Sequence, residues 1–355
     1  MGLLEETISN IRPLDETAAR AAARRLDSLT KPRGSLGYLE QIVCKYAAVR
    51  HDPSATDGPA EIAVFVADHG IAEEGVSAYP QSVTAEMLRN IARGGAAISV
   101  LARHYGIRLR IVDIGVRADT RDEHLPNVEY QRVASGTRNF LRGAAMTSTE
   151  VRTAIELGIR IARESAKSGI SIIGIGEMGI ANSTAASAVL CAITGHSPHE
   201  IAGHGTGLSE SGWENKVHVL VRALDLHRDT FGDAEALLAA VGGFEIAAMA
   251  GVCIGGASEN ICVMVDGFIA TAAAAVADKM VPGLRAQLMF SHQSAEGGHQ
   301  LALRHLEARP ILDLDMRLGE GTAAAIAIST LKAALKLTHE MATFESASVS
   351  EKLDR

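Results

Sequence analysis

Short apolar runs that end in small polar clusters recur along this chain. Ile62 to Ala67 leads into Asp68-His69-Gly70, Leu109 to Val112 into Asp113-Ile114-Gly115, and Ser171 to Ile175 into Gly176-Glu177-Met178-Gly179. Ile261 to Val265 leads into Asp266-Gly267, and Leu288 to Phe290 into Ser291-His292. The runs are continuous rather than alternating, which suits strands covered on both faces. Most are followed by a stretch of helical composition, so the pattern predicts a parallel sheet with helical crossovers. In such sheets the carboxyl ends of the strands form the ligand crevice. The polar clusters are therefore expected to share one rim.

The two ends of the chain read differently. Thr17 to Leu29 has helical spacing behind Asp15, a good N-cap, then Lys31-Pro32-Arg33-Gly34-Ser35 breaks the pattern and Leu36 to Val49 resumes it. No strand separates these helices. A further helix is predicted over Thr322 to His339, and the polar stretch after Phe344 reads as a frayed tail. The expected layout is an α/β body over residues 56–318, with a small helical domain built from residues 1–55 and 319–355.

Composition narrows the function classes. A formal net charge of -8 and 4% aromatic residues argue against nucleic acid, which favours basic patches and stacking rings. Cys44, Cys191, Cys253 and Cys262 form no CxxC pair, so small buried thiols in a reduced, cytoplasmic compartment are expected. Met1 to Asn10 carries two glutamates and no basic segment, unlike a secretory signal. No run reaches the ~18 apolar residues of a membrane span.

Three glycine-rich segments offer chemistry. In Met316-Arg317-Leu318-Gly319-Glu320-Gly321-Thr322 a single carboxylate is flanked by glycines at the mouth of an Ala-rich helix. The helix N-terminus would favour the ionised acid, whereas a buried apolar pocket would push its pKa up. Gly174-Ile175-Gly176-Glu177-Met178-Gly179 is a literal G-x-G-x-x-G. Its context is wrong for a dinucleotide: Glu177 would repel a pyrophosphate, and Glu200, at the right distance for a ribose acid, sits in a turn-like stretch. A nicotinamide dehydrogenase is thus the weaker alternative. Gly203-His204-Gly205-Thr206-Gly207, with Lys216 nine residues on, offers N–H groups, a hydroxyl and an ammonium that suit a phosphate monoester. Asn182, Ser183 and Thr184 could cap a helix or add donors, and Lys216 could equally be a solvated helix lysine.

Several segments, in order, carry a resemblance. They are Lys31-Pro32-x-Gly34-Ser35-Leu36-Gly37, Ala67-Asp68-His69-Gly70, Gly75-Val76-Ser77-Ala78-Tyr79-Pro80-Gln81 and Gly176-Glu177-Met178-Gly179-x-x-Asn182. Gly242-Gly243-Phe244-Glu245, Asp266-Gly267-Phe268, Ser291-His292-x-Ser294-Ala295-Glu296 and the Glu320 segment complete the set. Together they resemble the motifs of the nicotinate-nucleotide–dimethylbenzimidazole phosphoribosyltransferases, the CobT family of cobalamin biosynthesis, colinearly from about residue 31 to residue 328. The resemblance implies a Rossmann-like parallel sheet with flanking helices, a small domain from both chain ends, a homodimer, and no metal or organic cofactor. It also implies the reaction: nicotinate mononucleotide and 5,6-dimethylbenzimidazole give α-ribazole 5′-phosphate and nicotinate.

Carried over position by position, the resemblance makes Glu320 the general base that takes the proton of the attacking benzimidazole. It places Gly176, Glu177, Met178, Gly179, Asn182, Ser183, Gly203, Gly205, Thr206, Gly207, Lys216, Ser291 and Ser294 around the nucleotide and its phosphate. Ser77, Tyr79, Pro80, Gln81, Met87 and Leu318 match positions lining the base pocket. This chain departs from the pattern at His204, where arginine is more usual, at Ser183, where threonine is, and at Tyr79, where some relatives have a smaller residue. Asp68, His69, Glu245 and Asp266 can be read as functional or as orienting groups. Which base is attached is not encoded in an apolar slot that benzimidazoles and purines could share.

Overall fold

The apolar runs become the strands of one sheet. The structure, a computed structural model, describes residues 2–205 and 207–350. Three helices come first, α1 (Leu3–Ser9), α2 (Glu16–Asp27) and α3 (Tyr38–Arg50). Next are β1 (Ala60–Ala67), α4 (Val83–Ala92), α5 (Ala97–Tyr105), β2 (Arg108–Gly115), β3 (Val128–Tyr130), α6 (Ser148–Lys167) and β4 (Ile172–Met178). Then come α7 (Asn182–Thr194), α8 (Pro198–Ile201), α9 (Glu210–His227), α10 (Ala234–Val241), α11 (Phe244–Ser258), β5 (Cys262–Val265) and α12 (Phe268–Met280). The remainder is β6 (Leu288–Phe290), β7 (His292–Gln293), α13 (His299–His305), β8 (Leu312–Asp313), α14 (Thr322–Glu340) and α15 (Phe344–Ala347).

The six-stranded sheet has the order β3-β2-β1-β4-β5-β6 and every pairing in it is parallel. This is the order of doubly wound nucleotide-binding sheets, in which the chain reverses its direction of travel between β1 and β4. At that reversal the connections diverge and leave a crevice above the carboxyl ends of the two strands. The ends of β1 and β4 carry Asp68 and Glu177, so the topology alone places the polar clusters around the crevice.

Alternation along each strand divides the core in two. Ala63, Phe65 and Ala67 of β1 join a cluster with Ile173 and Ile175 of β4 and apolar residues of α6, α7, α9, α10, α11 and α12. Ile62, Val64 and Val66 face the other way, onto residues of α2, α3, α4, α5 and α14. Burial on both faces is why the strands read as continuous apolar runs. Asp15 caps α2 as expected, accepting from Thr17 N at 2.8 Å and Ala18 N at 2.9 Å.

The chain ends meet. Leu29 and Thr343 form an antiparallel bridge, and Arg25 donates to the carbonyls of Thr338 at 3.2 Å and Met341 at 3.1 Å. The stretch after Phe344 is not frayed through residue 350: Thr343 caps the short α15, and Phe344 N donates to Ser28 O at 3.1 Å. A hydroxyl cap plus one backbone bond is enough to order a polar segment that has no apolar periodicity to announce it. Helix α14 packs against α3 and α5 and also lies on β1, β4 and β5. Among the described residues no helix is long and apolar enough to cross a membrane.

Candidate active site

Glu320 lies in a turn whose backbone is forced. Gly319, Glu320 and Gly321 all have left-handed φ, at 89°, 62° and 85°. A non-glycine residue in that region costs about 1–2 kcal/mol, so something must hold Glu320 there. The backbone of β4 does so from below. A Cβ on Gly176 would come within 2.5 Å of Gly321 N and 2.6 Å of Glu320 C, so strand and turn meet with no side chain between them. Asp266, at the end of β5, holds the turn from the side. Its carboxylate accepts from Gly321 N at 3.1 Å and Ala324 N at 2.8 Å, supplying the cap that Gly321 lacks as N-cap of α14.

These contacts correct one expectation and explain why the glycine motif is not a dinucleotide fingerprint. Gly176 does not line the ligand cleft; it is the close-packing seam under Glu320. The G-x-G-x-x-G is mostly β4 itself, with Gly174 against Ala324 and Ile328 of α14 rather than in a phosphate loop. A dinucleotide fingerprint belongs to the turn after the first strand, which here is Asp68-His69-Gly70.

The Glu320 carboxylate is 4% exposed and points at the start of α5, where Oε2 accepts from Ile98 N at 3.4 Å. The helix terminus that serves it is therefore that of α5, not of its own helix. Burial outweighs this bond and raises the pKa of Glu320 above the usual carboxylate range. Its neighbours are shifted the same way. Burial pushes Asp266 up to about 7 against the three backbone bonds that lower it. Glu177 is pushed up to about 8, first by burial and then by the charge of Glu245, while its bond from Asn182 works in the opposite sense. Glu177 also reaches the turn: its Oε1 would sit 2.4 Å from a Cβ on Gly319.

Behind this cluster His69 and Glu245, both fully buried, share a 2.7 Å contact between Nε2 and Oε1. Gln81 donates to His69 O at 2.9 Å and accepts from Arg117, while Asp68 accepts from Arg117 N at 2.8 Å. Asp68 and Gln81 thus tie the end of β1 to the segment after β2. Ser291, fully buried, donates to Asp266 O at 2.5 Å and ties β6 to β5 rather than facing the cleft.

The cleft itself runs over the ends of β4 and β5. It is lined by Ser77, Glu177, Met178, Gly179, Asn182, Ser183, Gly205, Ser294 and Leu318 among the expected residues. Lys216 stands behind it, fully buried, donating to Ser183 Oγ and Gly203 O at 3.1 Å each. It is not a solvated helix lysine, and burial draws its pKa down to about 8. Gly203 and Gly207 flank the same loop; Thr206 lies outside the described residues. Tyr79 and Pro80 are exposed and Met87 is half-buried on α4, so none of them lines the cleft, and neither does Gln81. Tyr79 and Pro80 turn outward on the loop before α4, Gln81 turns to the backbone of His69, and Met87 packs against the core beneath α4, directions that sequence spacing does not carry.

Residues not singled out also line the cleft: Arg317, His292 and Phe268. Arg317 had a readable signal, a cation two residues before a glycine-flanked acid. His292 was readable only as part of the polar cluster that ends β6, and its exact place depends on the bonds its Nδ1 shares with Asp266 O and Ser291 Oγ, both at 3.1 Å.

A family model described as a phosphoribosyltransferase matches residues 11–349. The chain belongs to this phosphoribosyltransferase family. A Geobacter sp. (strain M21) protein called nicotinate-nucleotide–dimethylbenzimidazole phosphoribosyltransferase is 45% identical over 350 residues, covering 99% of this chain and all of the relative. A Chloroflexus aurantiacus protein of the same name is 47% identical over 355 residues, again covering 99% of this chain and all of the relative. The crystal structure of CobT from Thermus thermophilus superposes with a TM-score of 0.89 at 40% identity, over 95% of this chain and all of that one. The phosphoribosyltransferase thus shares both the parallel sheet and the full length of these relatives.

Proposed function

We propose that this phosphoribosyltransferase joins nicotinate mononucleotide to 5,6-dimethylbenzimidazole, giving α-ribazole 5′-phosphate and nicotinate, in the assembly of the cobalamin lower ligand. The observation that carries the reading is the buried Glu320, locked by Gly176 and Asp266 in a left-handed turn and held above the usual carboxylate pKa range. A benzimidazole nitrogen attacks the anomeric carbon as nicotinate leaves, and the second ring nitrogen sheds its proton to Glu320. Burial makes that carboxylate a stronger base than one in water. Positive charge develops on the sugar as the bond to nicotinate breaks, and the ionised carboxylate of Glu320 gives the surrounding pocket a field that favours it.

In this reading the phosphate rests on the Gly203–Gly207 loop with Lys216, Ser183 and Ser294, and Glu177, Met178, Gly179 and Asn182 hold the nucleoside. Ser77 and Leu318 border the base, with Tyr79 and Pro80 at its entrance. Tyr79 and Leu318 are 51% and 58% exposed beside the cleft, apolar area that a second copy of the chain would cover in a homodimer. The joined ends, residues 1–55 and 319–355 apart from α1, which packs on α6 and α11, act as a small domain that seats Glu320. The four free cysteines suit a cytoplasmic enzyme.

Incubation with nicotinate mononucleotide and a panel of bases, with mass and proton NMR identification of products, tests the proposal. The expected product is the α-anomer, since single displacement on a β-nucleotide inverts the anomeric carbon. A β-product or a trapped ribosyl-enzyme adduct overturns the mechanism, and no release of nicotinate overturns the assignment.

A further inference from the structure

In the proposed function the loop over Gly203 to Gly207 is the phosphate cradle, and the role inferred here for Glu296 rests on that reading. One donor of the cradle is already engaged by an anion that belongs to the chain. Gly205 N donates to Glu296 Oε1 at 3.2 Å. The same oxygen lies against Gly203, where a Cβ would come within 2.3 Å of it. The carboxylate therefore lies flat on the loop backbone at two of its glycines. Nearby, the hydrogen bonds of Lys216 Nζ go to Ser183 Oγ and Gly203 O, and among the described residues it makes no contact ion pair. Glu296 acts on it at longer range, partly offsetting the burial that lowers its pKa.

The backbone around Glu296 is anchored on both sides, while among the described residues its side chain is held by the Gly205 bond alone. Glu296 N donates to Ser294 Oγ at 3.2 Å and Glu296 O accepts from His299 N at 3.0 Å, at the entry to α13. The side chain is half-buried, lines the cleft with Ser183, Gly205 and Ser294, and is followed by Gly297 and Gly298. A rotamer change alone can lift the carboxylate from the loop. Two anions cannot share the Gly205 N–H without strong repulsion.

We propose that Glu296 is a built-in competitor for the phosphate cradle, whose carboxylate must leave Gly205 before a phosphate monoester can take that donor. The competition lowers the affinity of every phosphate-bearing ligand by one common factor. Inorganic phosphate, with only the cradle to offset the displacement, is thereby kept from filling the site, whereas a nucleotide adds contacts through its sugar and ring. A ligand without a phosphate is indifferent to Glu296.

The chain contains a single tryptophan, Trp213, which stacks on His204 of the loop with ring centroids 5.7 Å apart and donates to Ala202 O at 2.7 Å. Its fluorescence reports ligand binding at the cradle directly. Titration of the wild type, Glu296→Gln, Glu296→Asp and Lys216→Ala with inorganic phosphate, nicotinate mononucleotide and nicotinate riboside tests the proposal. Glu296→Gln should tighten phosphate and mononucleotide by the same factor, about tenfold, the worth of a charge-assisted bond, and leave the riboside unchanged. Glu296→Asp, which keeps the charge but shortens its reach, should also tighten phosphate. Unchanged or weaker phosphate binding by Glu296→Gln overturns the proposal while the cradle stands, provided Lys216→Ala weakens phosphate binding. Wild-type behaviour of Glu296→Asp beside a tightened Glu296→Gln also overturns it, in favour of general repulsion. Unchanged phosphate binding by Lys216→Ala removes the cradle reading and the proposal together.

Discussion

The Gly319-Glu320-Gly321 turn and the Gly203 to Gly207 loop stand on one rim, yet glycine serves opposite ends in them. In the first, backbone packs on backbone: Gly176 lies beneath, Asp266 caps from the side, and a left-handed glutamate is locked in place. In the second, side chains hold the loop from outside. Lys216 bonds to Gly203 O, Glu296 to Gly205 N, and a Cβ added at Gly207 would meet nothing within 4 Å among the described residues. A proton acceptor gains from being immovable, because misplacement costs rate. A ligand cradle gains from contacts that a ligand can replace.

The sharpest way to break this contrast is to remove the charge that the rigid turn presents. Glu320→Gln should retain the fold and nucleotide binding while turnover falls about 10²–10⁴-fold, the range for a positioned base. Steady-state kinetics beside a ligand-binding titration checks it, and near-normal turnover would take Glu320 out of the role.

Next is a matched pair of alanines. Gly176→Ala drives a methyl into the Glu320 turn, an overpacking expected to cost about 1–3 kcal/mol of stability and to lower turnover with it. Gly207→Ala meets, among the described residues, only the strain of its φ of 111° and should cost about 1–2 kcal/mol of stability, with any kinetic effect confined to nucleotide binding rather than turnover. Denaturant unfolding and kinetics on both variants would decide; equal effects would mean that the two segments are held alike.

The smallest effect is one of pH. Glu177 touches the rigid turn with a pKa of about 8, against 4.5 for the free side chain. Between those values the folded state binds more protons than the unfolded one, so stability must fall as pH rises through that window. Asp266, raised from 3.8 to about 7, acts in the same direction. Glu177→Gln should therefore flatten the loss between pH 5 and pH 8 by on the order of 1–3 kcal/mol without abolishing it. Thermal melts across that range that superpose for the two proteins would show that Glu177 is ionised in the fold at neutral pH.

Much of the fold is legible in the sequence. Five of the six strands, the edge strand β6 included, announce themselves as apolar runs because each is buried on both faces, and Asp15 announces α2. The other edge strand, β3, does not: its three residues are half-buried, carry no pattern, and among the described residues pair with β2 alone. Glu320 could be picked out by its flanking glycines, but the helix start that serves it lies in α5, more than two hundred residues away in sequence. Gly176 is the instructive miss. Its motif looks like a loop that receives a phosphate, and the reason for the glycine is a turn 145 residues further on that has to touch it, a contact that local sequence cannot express.

The bridge between Leu29 and Thr343 and the bonds from Arg25 to Thr338 and Met341 bear on the order in which the protein can be made. Partners such as Arg25 and Thr338 are 313 residues apart in sequence, and α14, which positions Glu320, sits between the early helices and the sheet. A chain still emerging from the ribosome has β1 to β5 long before it has α14. Until then the apolar underside of the sheet, Ile62, Val64 and Val66 among its residues, lacks that cover. Closing so long a loop comes late and slowly, and exposed sheet faces at that stage invite association with other chains. The competence of the site is thus withheld until synthesis reaches α14, the segment that both seals this face of the core and presents Glu320.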